Sequence, residues 1–173
     1  HEGSLSKVFG VYAAVMLLIL GAHISYISLV FFLASGLRVK VMFGYIKNMI
    51  SAMITGFSTI SSAATIPVNI ICTEKNLQNP AFARVVIPMT ANIHTLGSAL
   101  GLTILSLATL IAFGHGLPTA GSFFIFAFYY TMAKFAVAGI PGGVIIVVAP
   151  LLETYLGFTP EMIGLITAIY IMI

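Results

Sequence analysis

The sequence predicts an all-α integral membrane protein: transmembrane helices plus two re-entrant helical hairpins of opposite orientation, forming an inverted repeat. Three observations predict it. Of 173 residues, 60% are hydrophobic and only 6% are charged, with a mean hydropathy of +1.15. Soluble domains carry about 25% charged residues, so too little charge is present here to coat a globular surface. Two apolar segments are broken at their centres by small residues and proline: Ser58-Thr-Ile-Ser-Ser-Ala-Ala-Thr-Ile-Pro67 and Ala136-Val-Ala-Gly-Ile-Pro-Gly-Gly143. Finally, the basic residues crowd around the base of the first broken segment and avoid the base of the second.

Residues 7–33 supply one full span, since crossing the hydrocarbon takes about 20 apolar residues in a helix. His23 and Ser25 interrupt it, and His23 in a continuous span reads as a packing residue. Residues 42–78 form the first hairpin. An apolar helix runs to Thr59, and Pro67 to Ile71 restarts it before Glu74-Lys-Asn76. Each arm is short for a crossing, which favours re-entry. Residues 80–113 are long enough to cross but are interrupted by Thr90-Ala-Asn-Ile-His-Thr95. Residues 120–156 form the second hairpin, around the glycine-proline break. Residues 159–173 begin a last helix, with Thr159 as cap and Pro160 as first helical residue. The absence of an initiator methionine and the apolar run ending at Ile173 lead us to expect an internal piece of a longer membrane protein.

Orientation follows from charge. Arg38, Lys40, Lys47, Lys75 and Arg84 fall at the base of the first hairpin, so that hairpin enters from the cytoplasm. His115, Glu153 and Glu161 mark the base of the second, which carries only Lys134, deep in its first arm, and so enters from the extracellular face. The net charge of +3 therefore reports topology, and no nucleic-acid partner is expected. The single cysteine, Cys72, allows no internal disulfide and no metal-ligand spacing. With no nucleophile–base pair, metal cluster or phosphate loop, an enzyme is not expected, nor is a cofactor.

The breaks can bind a solute. Half-helices that start inside the membrane present free N–H groups and the positive end of the helix dipole, which suit a carboxylate. Their carbonyl ends suit a cation. Ser61, Ser62 and Thr65 add hydroxyls, while Gly139, Gly142 and Gly143 allow close backbone approach. A packed glycine-proline kink is the plain alternative for either break alone.

The residues also resemble a known family. Ser61-Ser-Ala-Ala-Thr-Ile-Pro67 is similar to the serine-rich hairpin tip of the dicarboxylate/amino acid:cation symporters, the glutamate transporter family. Ala138-Gly-Ile-Pro-Gly142 resembles that family's second tip, and Ile87 to Leu100 stands where it has a broken helix. The resemblance covers nearly the whole chain but only the C-terminal part of a family member. It implies an elevator-type transport domain in a homotrimer of the plasma (inner) membrane. By the same carry-over, Ser61, Ser62, Ser98, Gly139, Ile140, Pro141 and Gly142 contact the substrate, and Thr90, Asn92, His94 and Lys134 occupy cation-coupling positions.

The chain departs from the family where cations bind. The family's Asn-Met-Asp-Gly-Thr signature is here His94-Thr-Leu-Gly-Ser98, with Leu96 at the aspartate position, and the chain contains no aspartate. Lys134 stands where the family has a small hydroxyl residue. Its ammonium either serves function inside the membrane or snorkels to headgroups. His94 reads as a proton carrier, a neutral stand-in for asparagine, or an interhelical hydrogen bond. Together these departures predict altered sodium dependence, with sodium ions or protons as coupling ions.

The reading that results is a secondary active symporter. It moves a small anionic solute, a dicarboxylate or acidic amino acid, across the bilayer in symport with cations. A channel with re-entrant pore loops, or a degenerate paralogue that no longer transports, stands beside it.

Overall fold

The computed structural model describes the backbone of residues 2–172 except Asn92, His94, Ala138, Ile140 and Pro141, with side chains from Tyr12 to Ile171. Among the described residues the protein is all-helical. The helices are α1 (Glu2–Ala34), α2 (Val39–Thr59), α3 (Ser62–Glu74), α4 (Ala81–Thr90), α5 (Leu96–Ala112), α6 (Ala120–Phe135), α7 (Gly143–Leu156) and α8 (Pro160–Met172). Within α1, Tyr12–Ala34 is 23 residues of mean hydropathy 2.2, long and apolar enough to cross a membrane. Two compact units divide the chain. A tip unit comprises Ile24–Thr95 and Val137–Gly143; a core unit comprises His1–His23, Leu96–Ala136 and Val144–Ile173.

In the tip unit, α2 ends because Ile60 turns left-handed, at φ 50, and closes its N–H on the Gly56 carbonyl at 2.9 Å. A β-branched residue in that region is sterically strained. Ser61 then extends and accepts a hydrogen bond from the Ala64 N–H at 3.2 Å, capping α3. The helix therefore restarts at Ser62 and carries Pro67 inside it, whereas the sequence pattern places the restart at proline. The serine cap decides the start, and a proline this near the N-terminus forfeits one backbone bond without stopping the helix.

Helices α2 and α3 run antiparallel. Asn48 donates to Asn76 Oδ1 at 2.7 Å, Asn76 donates to the Tyr45 carbonyl at 3.2 Å, and near the turn Gly56 faces the Thr65 side chain. Glu74 at the end of α3 pairs with Arg84 of α4 at 2.7 Å.

In the core unit, Ile19, Leu102, Leu105, Phe126, Val148, Leu152, Met162 and Ile166 form one buried cluster drawn from α1, α5, α6, α7 and α8. Phe126 stacks on Tyr130, with ring centroids 5.5 Å apart, and Tyr129 stacks on Tyr155 at 5.0 Å. Close packing holds such helices together, because lipid tails are as apolar as leucine and supply no hydrophobic drive between them. Side chains such as Phe57, Phe124 and Ile146 are 82%, 72% and 71% exposed, a surface suited to hydrocarbon.

The hydroxyl of Tyr12 is buried with no hydrogen-bond partner among the described residues. Removing an unsatisfied hydroxyl relieves a desolvation cost of about 1–3 kcal/mol. Tyr12→Phe should therefore leave stability unchanged or raise it, measured as the apparent melting temperature of the purified protein in detergent.

Candidate functional site

The tip unit contains a cavity of about 400 Å³ between the α2–α3 turn and the end of α4. Ser61, Ser62, Thr65, Asn69 and Thr90 supply its polar lining, and Ile60, Ile66 and Ile87 part of its apolar lining. Among the described residues no charged side chain lines it. The first turn of α3 opens on this cavity, so backbone N–H groups and the positive dipole end meet serine hydroxyls there. That combination is chemically suited to a carboxylate. Asn69, two helical turns after Ser62, shares its face of α3, a relation that their seven-residue spacing makes readable in the sequence.

Ser61 makes a second contact. Its hydroxyl donates to the Gly139 carbonyl at 3.0 Å, and the Ala63 N–H reaches the same oxygen at 3.5 Å. The serine-rich tip and the glycine-rich tip thus meet through one carbonyl placed at the start of α3. Gly139 and Gly142 have φ of 66 and 69, where a Cβ would be strained, which explains glycine at both positions. Ile140 and Pro141 lie outside the described residues.

Thr90 ends α4, its hydroxyl donating to the Val86 carbonyl at 2.8 Å. α5 begins at Leu96. Asn92 and His94, the cation-coupling candidates of this stretch, lie outside the described residues. Among the described residues no group of three or more His, Cys, Asp or Glu side chains gathers.

Ser98 and Lys134 belong to the core unit. Lys134, in the last turn of α6, is 7% exposed and donates to Ser98 Oγ at 2.7 Å. Its ammonium also lies 5.5 Å from the centre of the Tyr130 ring. The side chain thus points onto Ser98. Tyr130 donates its hydroxyl to the Ser98 carbonyl at 2.9 Å, and Tyr170 of α8 hydrogen-bonds the Ser98 side chain. Ser98 is therefore the hub of a polar node at the start of α5. The same turn receives His23, whose ring lies against Gly97 and Gly101. The sequence reading assigned this histidine to packing; its ring nitrogens instead approach two carbonyls, of Ile19 and Gly97, at 2.7 and 2.9 Å.

The model of the sodium:dicarboxylate symporter family matches residues 2–173. Among characterised proteins, the serine/threonine transporter SstT of Acinetobacter baumannii is 33% identical over 116 residues, covering 67% of this chain and 28% of that protein. The candidate sodium-dependent excitatory amino acid transporter glt-4 of Caenorhabditis elegans is 30% identical over 131 residues, 75% of this chain and 24% of that protein. SstT of Streptococcus thermophilus is 34% identical over 103 residues, 59% of this chain and 25% of that protein. The chain thus spans less than a third of the length of these relatives.

The double role of Ser61 has a measurable consequence. Ser61→Ala removes the α3 cap and the bond to Gly139 and should destabilise the protein by about 1–2 kcal/mol. Ser61→Thr keeps both bonds and should cost less than half of that. Thermal melting of the two variants, with hydrogen exchange at the Ala64 amide, checks the assignment.

Proposed function

This chain belongs to the sodium:dicarboxylate symporter family, whose members are multi-pass plasma-membrane transporters and not enzymes, and from that premise we propose that it carries the solute-binding part of a sodium-coupled amino acid transporter. The observation that supports this reading most directly is the uncharged, hydroxyl-rich cavity at the start of α3. A substrate carboxylate binds the Ser62 hydroxyl and takes over from the Gly139 carbonyl the Ala63 N–H and the Ser61 hydroxyl. The remaining lining is neutral: threonine hydroxyls, the Asn69 amide and isoleucine. Among the described residues a second carboxylate would meet no cation there, and burying an unpaired charge is costly. The cavity therefore favours a small hydroxy amino acid such as serine or threonine over a dicarboxylate, in keeping with the SstT similarity.

By resemblance to the family we also assign Gly139, Ile140, Pro141 and Gly142 and, separately within the core unit, Ser98 to the substrate. On the same resemblance we assign the α4–α5 break, with Thr90, Asn92 and His94, to the coupling cation. Leu96 at the start of α5 removes a carboxylate from that assignment. Lys134 places its amino group on Ser98, so sodium dependence is altered relative to the family. α2–α3 and α6–α7 act as re-entrant hairpins entering from opposite faces. The complete protein works as an elevator in a homotrimer.

The test is uptake of labelled serine, aspartate and succinate into proteoliposomes holding the full-length protein. It is run with a sodium gradient, and again sodium-free with a proton gradient. Saturable, counter-gradient accumulation of serine driven by sodium is expected. Ser62→Ala should raise the KM for serine about tenfold or more, the loss of a hydrogen bond to a charged group. Linear flux following the electrochemical gradient would establish a channel instead, preference for succinate would overturn the substrate assignment, and no uptake would mark a degenerate paralogue.

A further inference from the structure

The cavity at the start of α3 reaches as far as Asn69, seven residues beyond Ser62 on the same face of the helix. Most polar hydrogens that line it are already committed. Thr65 gives its hydroxyl hydrogen to the Ser61 carbonyl at 2.7 Å, and Thr90 gives its own to the Val86 carbonyl at 2.8 Å. Ser61 donates to the Gly139 carbonyl at 3.0 Å. Among the described residues, the Ser62 hydroxyl and the Asn69 amide keep polar hydrogens that no other described group takes.

Thr73, one turn further along α3, holds one end of that amide: its hydroxyl donates to Asn69 Oδ1 at 3.2 Å. Met49 Sδ lies 3.8 Å from the same hydroxyl, but a thioether is a weak acceptor and does not compete with an amide oxygen. Side chains on a helix lean towards its N-terminus, so the Asn69 amide leans back over the turn that faces the cavity. Thr73 thus ties the amide from behind and leaves its other end to the cavity. A hydroxyl both donates and accepts, so a hydroxyl on a solute can pair with that end in either orientation of the amide. A methyl group can do neither.

The spacing fits a small solute. Seven residues of helix rise by about 10 Å. In serine, three bonds separate the carboxylate carbon from the hydroxyl oxygen, and a hydrogen bond of about 3 Å at each end extends its reach to a gap of that order. A carboxylate held at Ser62 and the first turn of α3 therefore brings the hydroxyl to Asn69.

We infer that Asn69 reads the hydroxyl of the substrate, and that Thr73 is a positioning residue that holds the Asn69 amide for it. The ligand class is then a small amino acid with a hydroxyl on its side chain, set apart from alanine by one hydrogen bond. An amide end left unpaired against a methyl group penalises the wrong solute. The role of Asn69 rests on the placement of the substrate carboxylate at the start of α3 made above.

The test compares labelled serine and alanine in proteoliposomes holding the full-length protein. Wild type should favour serine by about tenfold or more in kcat/KM, the effect of one buried hydrogen bond. Asn69→Leu, of similar volume and without a polar hydrogen, should bring the ratio close to one, the loss falling on the KM for serine rather than on kcat. Thr73→Val removes the hydroxyl at nearly constant shape and should lower the ratio about threefold or more. Thr73→Ser keeps the hydroxyl and should keep the wild-type ratio. A purely structural role would lower serine and alanine uptake together and leave the ratio unchanged. That result in Asn69→Leu or Thr73→Val would overturn the inference, as would a wild type that does not distinguish the two solutes. Should Asn69→Leu fail to fold, the two Thr73 variants decide. Titration calorimetry of serine and alanine on the purified full-length protein reads the same ratio without transport. Serine binding without uptake therefore overturns the transporter reading alone, and binding of neither solute overturns both.

Discussion

A peptide group in hydrocarbon that lacks a hydrogen-bond partner has no water to turn to, and the described parts of this protein are arranged around that constraint. A continuous helix meets it automatically. Broken helices meet it only if the groups freed at the break find partners nearby. At the first break the partners are local: Ile60 closes α2 on Gly56, and the Ser61 hydroxyl receives the Ala64 N–H. One further partner comes from far along the chain, the Gly139 carbonyl, which takes both the Ser61 hydroxyl and the Ala63 N–H. The second tip therefore completes the hydrogen bonding of the first.

This arrangement has a functional corollary. The groups that satisfy a helix start can be exchanged for those of a ligand of similar charge, and a carboxylate offers the same acceptor chemistry as a carbonyl with more charge. Strain at Ile60, a left-handed β-branched residue, adds to the same picture. Such conformations persist where surrounding contacts hold them, and they concentrate at working sites.

The start of α5 applies the same constraint to side chains. An ammonium, two phenols and an imidazole are expensive away from water, and each is placed on an oxygen of Gly97, Ser98 or Ile19. Main-chain carbonyls carry much of this load. They can do so because a glycine pair admits one helix against the other and because a carbonyl has a second lone pair beyond its helical bond.

Membrane class, helical content and the positions of the breaks were legible from residue order, because hydropathy and the special backbone freedom of glycine and proline are local properties. That Ser61 and Ser62 stand at the first break was legible for the same reason; that Ser61 caps α3 was not. The restart at Ser62 rather than Pro67 was harder, since a cap and a helix-breaker competed within one short segment and only their relative strengths decided it. The contact of Ser61 with Gly139, the inward turn of Lys134 onto Ser98, and the two carbonyls held by His23 were not in the sequence at all. Each joins a side chain to residues at least 36 positions away, except for His23 and Ile19, one turn apart on α1. Lysine and histidine patterns inside an apolar run look the same whether the side chain packs, snorkels or bonds. Sequence alone determined that this chain lives in a membrane and where its helices must break. The tertiary structure decided which oxygens receive its few polar side chains, because that depends on which helices approach closely enough to bring a donor to a carbonyl.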